Sequence, residues 1–430
     1  MNPWLNAALR VLACIGLMLL NGALIIYMLR KVLGHMHLRL GPTELGPAGI
    51  IQLIPDVVKL LVKEDRHPGK TDRWLYILAP FIIFVPALMT WMAIPFSNHL
   101  MAVDLNLGVL MILSFLTIGP LGVFAAGWAS HNKFALIGAM RAIGGAITYE
   151  IPMVLSALVP VMLAGSLSLK DISLAQAGSF WYWLPGLPCL VIFFISSIME
   201  TNQSPFDMSE AEGELVEGFN VEYSAMRFGF MYLAEFANNF IMAAIIVCLF
   251  FGGWTLPFVN PTTMGWLAPV VFLIKTYLVI FLFMFVRGTF SRYRVDQMLA
   301  LGWKKMMPIA IVYTALVAFV LKVIAMKTGG GMQCLRNGSQ REFLKPSVLC
   351  GKTCGAKILL LIIRGRNTPC LSALAGRCSL SMTKRARLSA RHVASVKRHA
   401  PFALFKSTLR PTPKRAISIL IIGSTSAAGA

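Results

Sequence analysis

The sequence is short of charge. Of 430 residues only 13% are Asp, Glu, Lys or Arg, while 57% are hydrophobic. A soluble domain carries about 25% charged residues, so a soluble globular fold is a poor reading. Acids are scarcer than bases, 18 against 39, for a formal charge of +21. The shortage of acids is uneven. From Thr328 to Ala430 stand eighteen Lys and Arg and a single acid, Glu342, so +17 of the charge lies there and +4 in residues 1–327. The chain reads as two pieces, a nearly neutral apolar body and a basic tail.

Familiar catalytic signatures are missing too. There is no Walker A loop, no dinucleotide-binding glycine turn after a strand, and no zinc-spaced His/Cys set in the body. The tail's Cys350-Gly-Lys-Thr-Cys354 offers two thiolates where an iron–sulfur cluster wants four. The body's Cys14, Cys189 and Cys248 lie in apolar runs and suggest no disulfide framework, while Cys334, Cys350, Cys354, Cys370 and Cys378 lie in the tail. The run after Arg10 is long and lacks a small-residue cleavage site, so no cleavable signal peptide is expected.

What the chain does have is long apolar runs. A spanning helix needs about 20 such residues. Eight stretches are expected to span: Leu5–Met28, Trp74–Ile94, Leu107–Trp128, Ile147–Ala164, Trp181–Ile198, Phe228–Phe251, Leu267–Val286 and Met307–Ile324. The first connection holds Arg30, Lys31, Arg39, Lys59, Lys63, Arg66, Lys70 and Arg73, and the seventh holds Arg287, Arg292, Arg294, Lys304 and Lys305; the even-numbered connections hold only Lys170. The positive-inside rule places the odd connections in the cytoplasm or matrix, and both termini of an eight-span body on the outer face. The fold class expected is an all-α, polytopic membrane bundle of about eight helices in residues 1–327, followed over 328–430 by a mostly disordered basic tail.

The odd connections are more than linkers. Gly46 to Lys63 has an apolar face at helical spacing broken by Gln52, Asp56 and Lys59, which suits an interfacial helix. The fifth connection gathers Glu200, Asp207, Glu210, Glu212, Glu214, Glu217 and Glu222, with no base before Arg227. On spacing alone a solvated acidic loop is favoured for Glu210, Glu212 and Glu214, with proton handling left open because close like charges raise each other's pKa. Arg292-Tyr-Arg294-Val-Asp296 suits a positive-inside anchor or a buried ion-pair network. Three ionisable residues stand at membrane depth: Glu150 at the start of the fourth run, Glu235 within the sixth and Lys275 within the seventh. The bland reading of each is an interfacial or paired charge; the sharper one is a proton path of buried carboxylates. From the residues alone, a proton- or ion-coupled machine and its docking base are not separated.

The loop motifs resemble one family. Arg30-Lys31-Val-Leu-Gly34, Arg39-Leu-Gly-Pro42, Gly46-Pro-Ala-Gly49, Gln52, Asp56, Lys59 and Lys63-Glu64-Asp65 are similar to the first loop of the H subunits of proton-pumping NADH:quinone oxidoreductase, respiratory complex I, whose mitochondrial counterpart is subunit 1. The likeness continues through Gly127-Trp-Ala-Ser130, Asn132-Lys133, Gly138-Ala-Met-Arg-Ala142, Tyr149-Glu150, Glu200-Thr-Asn202, Pro205-Phe-Asp207, Glu210-Ala-Glu212-Gly-Glu214, Gly218-Phe-Asn-Val-Glu222 and Arg292-Tyr-Arg-Val-Asp-Gln297, over about residues 8–327. The resemblance implies a membrane subunit that shares in forming the quinone chamber and couples quinone reduction to proton translocation, inactive alone. It implies a quinone-chamber set of Arg30, Arg39, Asp56, Lys59, Phe206 and Asp207. It implies a proton-coupling set of Glu150, Glu200, Glu210, Glu212, Glu214, Glu222 and Glu235, and structural ion pairs through Arg287, Arg292, Arg294 and Asp296. No metal or resident cofactor is expected; quinone is the substrate, and NADH, FMN and iron–sulfur clusters belong to partner subunits. Expected partners are quinone-site subunits of the hydrophilic arm, small membrane subunits, quinone and lipid, with no nucleic acid, in a bacterial inner membrane rather than a mitochondrial one.

The sequence departs from the family pattern at Leu29, where Glu is usual, at Gln203, where Arg is usual, at Gly144-Gly145 in place of Ala-Gln, and at Thr43-Glu44 in place of Asn-Arg. Two other readings keep the fold: a membrane anchor of a related hydrogenase-type or ferredoxin-linked complex, and a bare scaffold. A stand-alone transporter fits poorly, since no internal inverted repeat is evident. The resemblance stops at Lys327. Beyond it, a basic arm binding anionic lipid competes with sequence translated past the usual end of the gene.

Overall fold

The structure, a computed structural model, describes residues 3–65, 68–69, 71–98, 100–177, 181–256 and 265–327. The chain divides into two units, Met1–Gly338 and Ser339–Ala430. Every described residue lies in the first. Arg66 and Lys70, the side chain of Glu212, and all of 328–430 with Glu342 and the five tail cysteines fall outside the described residues.

Among the described residues there are helices and turns and no strand. In chain order the helices are α1 (Pro3–Met36), α2 (Leu53–Val62), α3 (Arg73–Met92), α4 (Gly108–Leu116), α5 (Ile118–Ala129), α6 (Lys133–Ala164), α7 (Leu169–Ala175), α8 (Leu187–Glu200), α9 (Glu212–Leu215), α10 (Ala225–Phe250), α11 (Leu267–Thr289), α12 (Val295–Ala300) and α13 (Met307–Lys327). Seven helical stretches are long and apolar enough to cross a membrane, with α4–α5 and α12–α13 each acting as one. The expected fifth span is shorter: α8 has 14 residues, about 21 Å at helical rise. Its first six expected residues, Trp181–Gly186, turn instead, with Gly186 N–H on Tyr182 O at 2.9 Å and Trp183 N–H on Phe250 O at 3.1 Å. Pro188 then sits in the first helical turn, where its missing N–H is harmless.

The fourth span is longer than its apolar run. Asn132 caps it, its side chain accepting from Phe134 N–H at 3.0 Å, and the helix runs 32 residues to Gly165, a left-handed stop at φ 68°. Glu150 therefore stands midway along α6, not at its start. Small residues and helix-forming ones carry the helix through Lys133–Ala146, where hydrophobicity alone gives no signal.

Contacts between connections sort them into two ends. At one end the first, third, fifth and seventh connections meet: Ser224 hydroxyl donates to Glu64 O at 3.5 Å, Asn132 Nδ2 to Glu222 at 2.9 Å, and Tyr293 N–H to Pro205 O at 3.0 Å. At the other end the even ones meet: Lys170 pairs with Asp104 at 3.3 Å, and Arg10 near the chain start reaches Ala102 O at 3.4 Å. Alternating, antiparallel crossings by eight helical columns produce this sorting, α8 being the short one.

Helix α10 is the core. Every residue from Asn239 through Phe250 is buried, and Trp91 (4.4 Å between ring centres) and Tyr277 (6.3 Å) pack on Phe240. The outside is the reverse of a soluble protein: α11 exposes Val270, Ile274, Leu278, Phe281 and Phe285, one stripe at helical spacing. Such a face is stable against hydrocarbon and not against water. Several interior hydroxyls are satisfied within their own helix. Thr148, Ser197, Thr276 and Thr314 each donate to the carbonyl four residues back at 2.7–2.8 Å.

Candidate functional site: a carboxylate-lined cavity pair

The base-rich end holds the polar machinery. Lys31 reaches from α1 to the carbonyls of Leu40 and Pro42 at 3.1 and 2.9 Å, folding the first connection back on the helix end. Gly49 (φ 80°) lies so close to the Pro42 carbonyl that a Cβ would collide with it. This turn launches α2, which buries none of its residues and presents Ile54, Val57, Val58, Leu61 and Val62 outward. Arg30 and Asp56 pair at 2.5 Å and tie α2 to α1. Arg39 and Lys59, expected beside them, are exposed and make no ion pair among the described residues.

The fifth connection folds inward. Phe206 is buried and stacks on Tyr293 (5.4 Å between centres, 13° between planes), while Arg292 pairs with Asp207 at 2.9 Å. Asn220 Nδ2 donates to Glu210 at 2.9 Å, and Arg141 pairs with Glu214 at 2.6 Å. Arg294 and Asp296 are exposed and not paired with each other. Glu210 and Glu214, close in sequence, have opposite surroundings. Burial pushes the Glu210 carboxyl well above the usual range; the charges of Glu235 and Asp207 add to this, while Arg287 and the Asn220 hydrogen bond oppose it. Glu214 lies in solvent, and its hydrogen bond and ion pair with Arg141 hold it below the usual range.

Two cavities meet here. The inner one, about 50 Å³, is lined by Tyr149, Glu200, Glu210, Glu235 and Asn238, with Ile83, Val123, Phe219 and Met231 as apolar walls. It has room for a few water molecules between polar groups. The outer one, about 510 Å³, is lined by Asp207, Glu210, Glu217, Asn220, Phe228, Tyr232, Arg287 and Arg292. Glu210 belongs to both walls. Thus Glu200, Glu210 and Glu235, distant in sequence, share one cavity, and Asp207 joins them through the second. Glu150 is next to the cavity-lining Tyr149 but partly exposed itself, and Glu222 serves the contacts with Asn132 at the edge of the bundle. Sequence reasoning assigns no role to Tyr149, Asn238, Arg141 or Tyr232. The usable signal is the pair Asn238-Asn239 inside an apolar run.

Lys275 belongs elsewhere. Its ammonium donates to the carbonyls of Phe251, Gly253 and Thr255 at 2.8, 3.0 and 2.6 Å and lies 4.4 Å from the Trp181 ring centre. Of the departures from the family pattern, Leu29 packs in the core and Gln203 is buried, its backbone N–H on Ile198 O. Gly145 faces the Met298 methyl, and Thr43 and Glu44 are exposed.

Known proteins are similar to this chain over most of its length. A family model described as NADH dehydrogenase matches residues 9–318. The chain is 41% identical to the H subunit of the NADH-quinone oxidoreductase of Paraburkholderia phymatum over 328 residues, 74% of this chain and 92% of that one. It is 42% identical to the H subunit of Rubrobacter xylanophilus over 299 residues, 69% and 89% of the two chains. It is 39% identical to the H subunit of Vesicomyosocius okutanii over 336 residues, 75% and 94%.

Proposed function

Because the chain belongs to the family of NADH-quinone oxidoreductase H subunits, we propose that it closes one wall of the chamber in which the complex reduces quinone, and couples that reduction to proton movement through buried carboxylates. The complex is an oxidoreductase and quinone its substrate; this chain is one membrane subunit of it. The outer cavity, with its Phe228–Tyr232 pair stacked at 5.7 Å and its arginines, forms the chamber's inner end. Arg30, Arg39, Asp56, Lys59, Phe206 and Asp207 shape the approach. Glu200, Glu210 and Glu235 carry the proton relay, with Glu150 at its flank and Glu222 anchoring the loop that holds it. Glu212 and Glu214 edge that loop, and Arg292 fixes Asp207 in it.

One observation carries this reading: Glu210 stands in the wall of both cavities. A two-electron reduction in the chamber leaves negative charge that protons must neutralise. A carboxyl whose proton is held tightly by burial responds to that charge and passes the change to its neighbours. Quinone-site subunits of the hydrophilic arm close the remaining walls, and small membrane subunits continue the relay. NADH, FMN and iron–sulfur clusters sit in those partners. The base-rich end faces the cytoplasm of a bacterial inner membrane. Residues 1–327 are the working membrane domain and 328–430 an extension, consistent with a family match that ends at residue 318.

The test is Glu210→Gln in membranes containing the assembled complex. NADH:quinone turnover is expected to fall by about tenfold or more, with assembly intact on native gels. Normal turnover with normal acidification of vesicles would defeat the coupling reading.

A further inference from the structure

We infer that Arg287 is a positioning residue for the coupled carboxylates, a cation shared between Glu210 and Glu235 and locked to neither. The inference rests on the coupling reading above. Arg287 lies in the last turn of α11, where a cation also meets the helix's negative end. It lines the outer cavity together with Asp207, Glu210 and Tyr232. Four other arginines at this end are taken one to one: Arg30 by Asp56, Arg141 by Glu214, Arg227 by Asp65 at 3.1 Å and Arg292 by Asp207; Arg39, Arg73 and Arg294 are exposed and line neither cavity. Among the described residues Arg287 has no carboxylate within ion-pair distance, yet it shares the outer cavity with Glu210, whose carboxyl also lines the inner cavity beside Glu235.

The difference matters physically. A salt bridge at 2.9 Å, such as Arg292–Asp207, ties one cation to one carboxylate. A cation set back from several carboxylates compensates their total charge without choosing which is ionised. The ionisable groups lining the outer cavity with Arg287 are Asp207, Glu210 and Glu217 from the fifth connection, Tyr232 from α10, and Arg292 beyond its own helix; Glu235 from α10 lies past the shared Glu210 wall, in the inner cavity. Arg292 already balances Asp207. Arg287 then balances one negative charge on Glu210 and Glu235 together, so a single proton is held between the two and crosses from the outer cavity wall to the inner one. The pair titrates as a unit. Expecting Arg287 in a structural ion pair therefore understates its part.

The test uses the assembled complex in membrane vesicles and follows NADH:quinone turnover and acidification against pH for Arg287→Met and Arg287→Lys. Without the cation the Glu210 carboxyl holds its proton more tightly, so release needs a higher pH. For Arg287→Met the profile should move about one unit alkaline, with a severalfold loss at neutral pH recovered on raising it; Arg287→Lys should stay near the parent. Uniform scaling of activity at every pH in the assembled Met variant would overturn the inference. If the Met variant does not assemble, the Lys variant decides. An unshifted profile supports a shared point charge, and an alkaline shift indicates a required bidentate pair and overturns it. An Arg287 failure beside an impaired Glu210→Gln variant removes this inference alone. Normal Glu210→Gln turnover removes the coupling reading beneath it.

Discussion

Lys275 interrupts an apolar run, which in a bilayer helix marks a candidate ion or proton site. Its surroundings give it another task. Helix α10 ends at Phe250, and the last carbonyls of a helix have no partner within it. Gln176 takes those of Cys248 and Leu249 at 3.1 Å each, Trp183 N–H takes Phe250, and Lys275 takes Phe251 and two beyond. The charge is thus a cap on the core helix, further favoured by the Trp181 face. Replacing Lys275 by Met leaves three partly buried carbonyls short of donors. It should destabilise the subunit by about 2–4 kcal/mol, seen as a lower yield of assembled complex and a lower melting temperature. Turnover per assembled complex should be unchanged; its loss would make Lys275 a participant in proton transfer. Glu235 and Lys275 look alike in sequence, each a charge between apolar neighbours. What separates them is tertiary: carbonyls from residues 251–255 surround one, and other carboxyls surround the other. Tyr149 and Asn238 stay silent in the sequence because uncharged polar residues are cheap enough in apolar helices to carry no signal.

At the scale of elements, hydropathy locates each spanning column but misjudges where helices end. Helix α6 begins 14 residues before its apolar run because Asn132 caps it and Gly138 packs against the Ser209–Phe219 loop, features of backbone and fit rather than hydrophobicity. Helix α8 is cut short by Pro185-Gly186, a turn signal outweighed by the apolar residues around it. The first connection is more legible, since its helical spacing gives α2 directly. Its mounting is not, because the mounting is the fold of Lys31 and Gly49 around Pro42. Gly49→Ala tests that mounting. Left-handed backbone costs a residue with a Cβ about 1–2 kcal/mol, and here the Cβ also meets the Pro42 carbonyl. The turn should open and free α2 from its Arg30–Asp56 tether. The expected readout is faster protease cleavage between residues 40 and 65 in vesicles, with quinone turnover reduced and the remaining spans intact. Cleavage at the parent rate would mean that the Arg30–Asp56 pair alone holds α2.

For the whole molecule, the net charge of +21 is a poor guide, since +17 of it lies from Thr328 onward and outside the described fold. The body is asymmetric in a different way. The end formed by the odd connections carries nearly all the bases, the acidic fifth connection, both cavities and the paired arginines; the opposite end carries Lys170–Asp104, the Lys275 cap and little else that is charged. Between them, α10 from Phe240 to Phe250 is buried and apolar, about 16 Å of helix without an ionisable oxygen or nitrogen side chain. Such a column is a poor conductor of protons, so the relay proposed above, from Glu210 to Glu235, would leave sideways into a neighbouring subunit rather than straight across. The proposed coupling also needs the carboxylate end to face the side from which electrons arrive, and the positive-inside rule predicts that side to be the cytoplasm. Cysteines at Glu44 and Asp104, exposed at opposite ends, test it in a chain whose five tail cysteines are replaced by serine and whose Cys14, Cys189 and Cys248 are buried. A membrane-impermeant maleimide should label Glu44→Cys in inside-out vesicles and Asp104→Cys in right-side-out ones. The reverse pattern would invert the molecule, put the base-rich end on the outer face and separate the cavities from the compartment that supplies NADH.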